Sequence, residues 1–233
     1  MVAERSQSDG IVLLIIFLLK LPSITSVLAG SHPSRCCEFY VPLESQHQLV
    51  SRSLLRKSEM KPDPKMQPIQ LILSDVDGVL TDGGITYDNQ GIETKRFNVR
   101  DGMGIKLWQR AGHKFGIITA RSSHIVKLRS TELGIEIVRQ GLDDKLPSVM
   151  QIIEELGLKP ENVCYIGDDL TDLAVITSVG LGASVADGAK EVRDAAHFVT
   201  KTAGGQGAMR ELIETILKSQ KRWDEVVSHY AMT

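Results

Sequence analysis

Two carboxylates, Asp75 and Asp77, follow the apolar run Ile69–Ser74 in the segment Asp75-Val76-Asp77-Gly78-Val79-Leu80-Thr81-Asp82-Gly83. Residues i and i+2 of an extended segment point the same way, so the pair can share a site. Gly78 lets the chain turn sharply behind them. Such a pair suits metal binding, or a nucleophile working with an acid. An acid-rich surface turn has the same composition, so the pair alone decides nothing. Further along, Thr119 ends a second apolar run and is followed by Ala120 and Arg121. A hydroxyl with free backbone N–H groups at that place can bind phosphoryl oxygens. Lys145 opens a helical stretch after Asp143-Asp144. Gly167-Asp168-Asp169 ends a third apolar run, with Asp172 one helical turn on. A lone lysine at a helix start is ordinarily a solvated surface group. The ordered set of acid pair, hydroxyl, lysine and acid pair, each after a strand, is what points to chemistry.

The periodicity of the chain predicts the elements that position these residues. Ile69–Ser74, Lys114–Thr119, Ile135–Arg139, Asn162–Gly167, Leu181–Val185 and His197–Thr200 read as short strands. Gly102–Ala111, Ser122–Gly134, Leu146–Leu156, Thr171–Val179, Lys190–Ala195 and Gly207–Ser219 read as helices. Gly84–Tyr87 and Thr94–Asn98 flank Asp88-Asn89-Gln90-Gly91 as a β-hairpin. Strands alternating with helices give an α/β fold with a doubly wound, mostly parallel sheet. Right-handed crossovers gather the strand C-termini on one edge, where ligands bind.

The motifs DVDGVLTDG, IITAR, DDK and GDDLTD resemble, in order and on matching elements, the four motifs of the haloacid dehalogenase superfamily of phosphohydrolases. Within it, the chain resembles the small, capless 3-deoxy-D-manno-octulosonate 8-phosphate phosphatases. The likeness covers residues 69–220 and also rests on Phe97–Gly102 and Gly204–Ala208. It implies a Rossmann-like fold and hydrolysis of the phosphorylated eight-carbon sugar acid, a step in lipopolysaccharide biosynthesis. It further implies Asp75 as nucleophile and Asp77 as acid and base. Thr119 and Lys145 would stabilise the transferring phosphoryl group. Mg²⁺ would be held by Asp75, Asp168 and the Asp77 carbonyl, with Asp169 supporting the metal's water or Lys145. Asp172 is expected to be a structural brace. The substrate contacts implied are Asp77, Asn98, Val99, Arg100, Asp101, Gly102, Lys106, Arg121, Arg129 and Lys145. Arginines suit this role because a guanidinium matches a carboxylate bidentately. Gln206 stands where the family usually has arginine, and Ala120 where it usually has glycine.

The segments between the motifs are too short for a cap domain, so the site needs another cover. In the resembled family the hairpin assembles a homotetramer whose neighbouring chains close the site. Here the hairpin Gly84–Asn98, with Ile85, Tyr87 and Phe97, the Ala203–Ala208 segment and a C-terminal tail 221–233 are candidates. Three other classes compete: a phosphatase for a nine-carbon sialic-acid-type 9-phosphate, a receiver-type phospho-acceptor domain, and an inactive oligomerising module. In receiver domains the acid pair precedes the acceptor aspartate, the reverse of the order here.

Composition sets the outer bounds. The chain has 233 residues, 42% hydrophobic and 24% charged, with net charge −2. That balance lacks the basic excess of a nucleic-acid binder. Three cysteines, Cys36, Cys37 and Cys164, are too few for a disulfide scaffold. Residues 1–68 differ from the rest. Ile11–Leu19 is an apolar run too short for a membrane span, which needs about 20 residues. The region reads as a signal-like segment, disorder, a peripheral anchor or a start assigned too early, with Met60 or Met66 as alternatives. The expected compartment is the cytoplasm, where sugar phosphates and Mg²⁺ are available.

Overall fold

The computed structural model describes residues 63–231; the expectations for residues 1–62 lie outside them. The strands are β1 (Leu71–Ser74), β2 (Thr86–Tyr87), β3 (Glu93–Thr94), β4 (Lys114–Thr119), β5 (Ile137–Gln140), β6 (Val163–Gly167), β7 (Leu181–Ser184) and β8 (Phe198–Val199). The helices are α1 (Val99–Arg110), α2 (His124–Leu133), α3 (Leu146–Glu155), α4 (Leu173–Ile176), α5 (Lys190–Ala195), α6 (Ala208–Ser219) and α7 (Trp223–Ala231). Six strands form one sheet in the order β5-β4-β1-β6-β7-β8. Every neighbouring pair in it is parallel. β2 and β3 form a separate antiparallel hairpin.

The two-residue period of a strand divides the core. Ile72, Cys164 and Ile166 point to one face, against Ile105 and Trp108 of α1 and Leu212, Ile213 and Ile216 of α6. Leu71, Leu73, Val163 and Tyr165 point to the other, against Val149 and Ile152 of α3, Val175 of α4 and Val192 of α5. Helices on both faces make the sheet doubly wound, as expected. Cys164 is a free, buried thiol whose pKa burial pushes up, and Trp108 is a core residue donating from Nε1 to the Lys114 carbonyl at 2.7 Å.

Some boundaries differ from the reading above. α1 begins at Val99, because the Asn98 side chain accepts a hydrogen bond from Arg100 N and caps the helix. Asn98–Gly102 is therefore a cap and first helical turn, so the helix starts three residues before the expected Gly102. The helix contains two glycines, and both are set by packing. A Cβ on Gly102 would lie 2.3 Å from the Arg129 guanidinium, and one on Gly104 3.1 Å from the Arg210 backbone of α6. The Thr171–Val179 helix shortens to α4, because a 3-10 turn, Leu170–Asp172, precedes it. The packed body also exceeds 69–220 at both ends. Asp63 N donates to Ser219 Oγ at 2.9 Å, and Met66 is buried. Residues 223–231, expected as a tail, form α7, with Trp223 beneath Arg210 and Lys218.

The α1–α6 contact behind the sheet edge predicts a stability effect. Ile213→Ala empties a fully buried site and should cost about 2–5 kcal/mol. Urea denaturation checks this; a loss below about 0.5 kcal/mol would show that α6 is not tightly packed there.

Candidate active site

Asp75 directly follows β1, its N–H still bonded to the Ile166 carbonyl of β6 at 3.0 Å. Its buried carboxylate accepts from Val76 N through Oδ1 at 2.6 Å and from Lys145 Nζ through Oδ2 at 2.6 Å. Lys145, at the N-terminus of α3, has a side chain with 0% exposure. Its second partner is Asp172 Oδ1, at 2.7 Å. Asp172 is fully engaged. Oδ1 also accepts from the Tyr165 hydroxyl at 2.6 Å, and Oδ2 accepts from the backbone N–H groups of Asp168 and Asp169 at 3.0 and 3.3 Å. Asp169 itself is exposed and accepts from Leu170 N, so the acid that braces Lys145 is Asp172, not Asp169. Thr119 is buried at the end of β4, the strand beside β1.

Close approach requires glycine at two places. A Cβ on Gly78, whose φ is +86°, would fall 2.0 Å from Asp168 Oδ2. A Cβ on Gly167 would fall 2.3 Å from the Asp172 carboxylate. The acids are thereby crowded into one dry corner. Burial, then the charges of Asp172, push Asp75 up to about 6 against the pull of Lys145. Burial, then Asp75 and Asp172, push Asp168 up to about 7. Burial works against the Lys145 ammonium, but Asp75 and Asp172 outweigh it and raise its pKa.

Carboxylate oxygens of Asp75, Asp168 and Asp172 lie within 4.8 Å of one another. Asp168 Oδ1 is buried with no hydrogen-bond partner and each Asp75 oxygen accepts a single bond, whereas both Asp172 oxygens accept two protein donors each. The corner therefore fits a hard divalent cation held by Asp75 and Asp168. The donors are all oxygen, and no histidine is among them.

Asp77 faces the hairpin. Its Oδ1 is held by Lys95 Nζ, and its Oδ2 lies 3.7 Å from Arg121 Nε. Lys95 also lies 3.3 Å from Glu93. Arg121 bonds Glu93 Oε1 at 2.8 Å and the Tyr87 hydroxyl at 3.3 Å. Ser123 Oγ donates to the other Glu93 oxygen at 3.0 Å. Glu93 and Lys95 were not singled out from the sequence. The readable signal was their i, i+2 spacing, which turns an acid and a base to one hairpin face.

The residues named as substrate contacts separate. Asp77, Arg121 and Lys145 are at the site. Asn98, Asp101, Gly102 and Arg129 line a small pocket beside α1. There Arg129 lies over the Phe97 ring, 5.7 Å from its centroid, and pairs with Glu132 at 2.8 Å. Asp101 is buried and accepts from Arg210 N at the start of α6, at 2.9 Å. Val99, Arg100 and Lys106 are exposed and are not brought to the acids within this chain. Phe97, expected on an oligomer face, packs on the core. Gly204 and Gly205 pack on this chain's own Gly78–Thr81 turn, and Gln206 is exposed.

A parallel sheet with an acid pair after its first strand, a lysine and a third acid on one edge is the architecture of the haloacid dehalogenase-like hydrolases. Residues 123–212 match that family's model. The chain is 44% identical over 161 residues to the 3-deoxy-D-manno-octulosonate 8-phosphate phosphatase of Escherichia coli K12, covering 69% of this chain and 86% of that protein. It superposes with TM-score 0.70 and 42% identity on the Moraxella catarrhalis phosphatase of that name, solved with magnesium, phosphate and KDO, covering 71% of this chain and 95% of that one. The cobalt-bound Haemophilus influenzae enzyme gives TM-score 0.66 at 37% identity, covering 68% and 93%. The chain belongs to the haloacid dehalogenase-like hydrolases, in the branch that holds the 3-deoxy-D-manno-octulosonate 8-phosphate phosphatases.

The raised carboxylates predict a pH effect of defined sign. The folded chain holds protons that the unfolded chain sheds, so this contribution to stability is full below about pH 4 and lost as pH rises through about 6 and 7. In metal-free buffer, Asp168→Asn should gain stability relative to the parent between about pH 4.5 and 7.5. Urea titrations at both pH values check it; a constant difference would contradict it.

A second prediction concerns Asp101. Asp101→Ala strips a buried acceptor from α6 and should cost about 1–3 kcal/mol by the same assay. No loss would return Asp101 to a purely ligand-binding role.

Proposed function

We propose that the protein is a Mg²⁺-dependent phosphomonoesterase that hydrolyses 3-deoxy-D-manno-octulosonate 8-phosphate to the free sugar acid and phosphate. The observation that carries this reading is the buried Asp75 carboxylate, gripped by Lys145 beside the unpartnered Asp168 oxygen. The named relatives supply the substrate.

An Asp75 oxygen attacks phosphorus in line, the bond from phosphorus to the sugar oxygen breaks, and an aspartyl-phosphate forms. This splits one hard displacement into two easier ones. Asp77, with Oδ2 buried and free of hydrogen bonds, gives its proton to the departing sugar oxygen. It then takes a proton from the water that cleaves the intermediate. Lys145, held charged by its two acids, offsets charge on Asp75 and the transferring phosphoryl group. Thr119 hydrogen-bonds that group. Asp75, Asp168 and the Asp77 carbonyl would hold Mg²⁺, which when bound neutralises charge shared by nucleophile and phosphate. Arg121 is the guanidinium best placed for the substrate carboxylate. Arg129 would have to leave Glu132 to join it.

A homotetramer completes the site. Ile85, Tyr87 and Ile92 of the hairpin and the adjoining Val99 are more than half exposed, an apolar face suited to a second copy. Among the described residues, no helix is long and apolar enough to cross a membrane. The cytoplasm is the compartment in which this substrate and Mg²⁺ meet.

Phosphate release should require Mg²⁺, vanish with chelator, and be faster for the eight-carbon 8-phosphate than for a nine-carbon 9-phosphate. Asp75→Asn should lower it at least about 10³-fold. Full activity in that variant, or preference for the nine-carbon ester, would sink the corresponding assignment. Light scattering should give four times the chain mass; a monomer would overturn the tetramer.

A further inference from the structure

We propose that Lys95 is a positioning residue that aims Asp77 at the leaving oxygen, an inference that rests on Asp77 being the acid of the proposed hydrolysis. The hairpin delivers Lys95 into the site from outside the sheet. Its side chain is 1% exposed, although lysine is almost never fully buried unless paired. Burying that ammonium is unfavourable without partners, and it has two, Asp77 and Glu93.

The contact divides the labour of the Asp77 carboxyl group. Lys95 takes Oδ1, leaving Oδ2 buried and without a hydrogen-bond partner. A carboxyl group that accepts at one oxygen and carries its proton on the other can donate only from the second. Lys95 thus fixes which oxygen faces the ester and stops the side chain from rotating away. Glu93 holds Lys95 in turn and is itself fixed by Arg121 and Ser123. A neutral side chain of equal length would fill the space but leave Asp77 free to swing. No other described element supplies a lysine to Asp77, and the remaining cation at its side, Arg121, stands farther off at 3.7 Å.

The test uses the Mg²⁺-loaded enzyme and two esters. The sugar 8-phosphate expels a poor alkoxide that needs the proton. 4-Nitrophenyl phosphate expels a phenolate that does not. Lys95→Met should lower kcat on the sugar ester by about 30–100-fold with KM changed less than about threefold. In the first-turnover burst, which reports expulsion of the leaving group alone and not the later attack of water, the loss on 4-nitrophenyl phosphate should stay below about threefold. Lys95→Arg should recover most of the rate. Lys95→Met placed on Asp77→Asn should cause no further loss, because the residue it positions is already disabled. Where Lys95→Met does not fold, Glu93→Gln carries the test, with the same leaving-group dependence at about 3–10-fold. Equal losses on both esters, a change confined to KM, or additivity with Asp77→Asn would overturn the proposal. Parent enzyme inert toward both esters would overturn the phosphatase reading and this proposal with it. An active parent with uniform variant losses would overturn only the positioning role.

Discussion

The buried Lys145 ammonium lies between Asp75 and Asp172, and the rest of the sheet's C-terminal edge is arranged around that contact. A buried ion pair is held only when its remaining hydrogen-bonding capacity is also filled. Asp172 satisfies this with the Tyr165 hydroxyl and two backbone N–H groups, which couples its position to β6 and to the turn after it. Gly78 and Gly167 are the other consequence. The acids are so close to the backbone that a single Cβ would displace a carboxylate. Three carboxylates then face one ammonium, and burial, together with the uncompensated negative charge, raises the proton affinity of Asp75 and Asp168. The corner is built to be short of positive charge, the condition under which a divalent cation binds.

Much of this was legible in the sequence because the catalytic acids terminate strands whose apolar runs are unmistakable. Ile69–Ser74 and Asn162–Gly167 read as strands ending in acids on one edge, and the structure pairs them side by side as β1 and β6, with Leu71 opposite Val163. The roles of the last acids were harder to read. Asp169 and Asp172 look alike in a string of letters. The turn at Leu170–Asp172 buries one and exposes the other. The start of α1 was missed for a physical reason too. Asn98 was read as the end of a hairpin strand, whereas its side chain turns back to accept from Arg100 N and starts the helix three residues before Gly102.

The hairpin is where sequence reading stopped short. Its turn, Asp88-Asn89-Gln90-Gly91, is legible, with Gly91 at φ +77°. The pairing of Lys95 with Asp77 is not, because it joins residues of two elements that share no ladder. Long-range ion pairs leave no periodic trace. Ile85 and Tyr87 are exposed as expected, and Ile92 joins them, but Phe97, grouped with the first two, turns inward beneath Arg129. Alternation along two-residue strands is too brief to fix which face is which.

The two halves of the site therefore rest on different forces. Asp75, Lys145 and Asp168 are fixed by a six-stranded sheet with apolar cores on both faces. Asp77 is fixed by a two-stranded hairpin, and such a hairpin has little stability of its own. What ties the hairpin to the sheet edge is the chain of charges from Lys95 through Glu93 to Arg121, with Phe97 packed on the core at its base, while Ile85, Tyr87 and Ile92 face outward. The nucleophile is thus held rigidly, whereas the acid depends on the hairpin being in place. Cover over the hairpin's outer face would stiffen the same charges that hold Asp77, so closing the site and aiming its acid become one physical event.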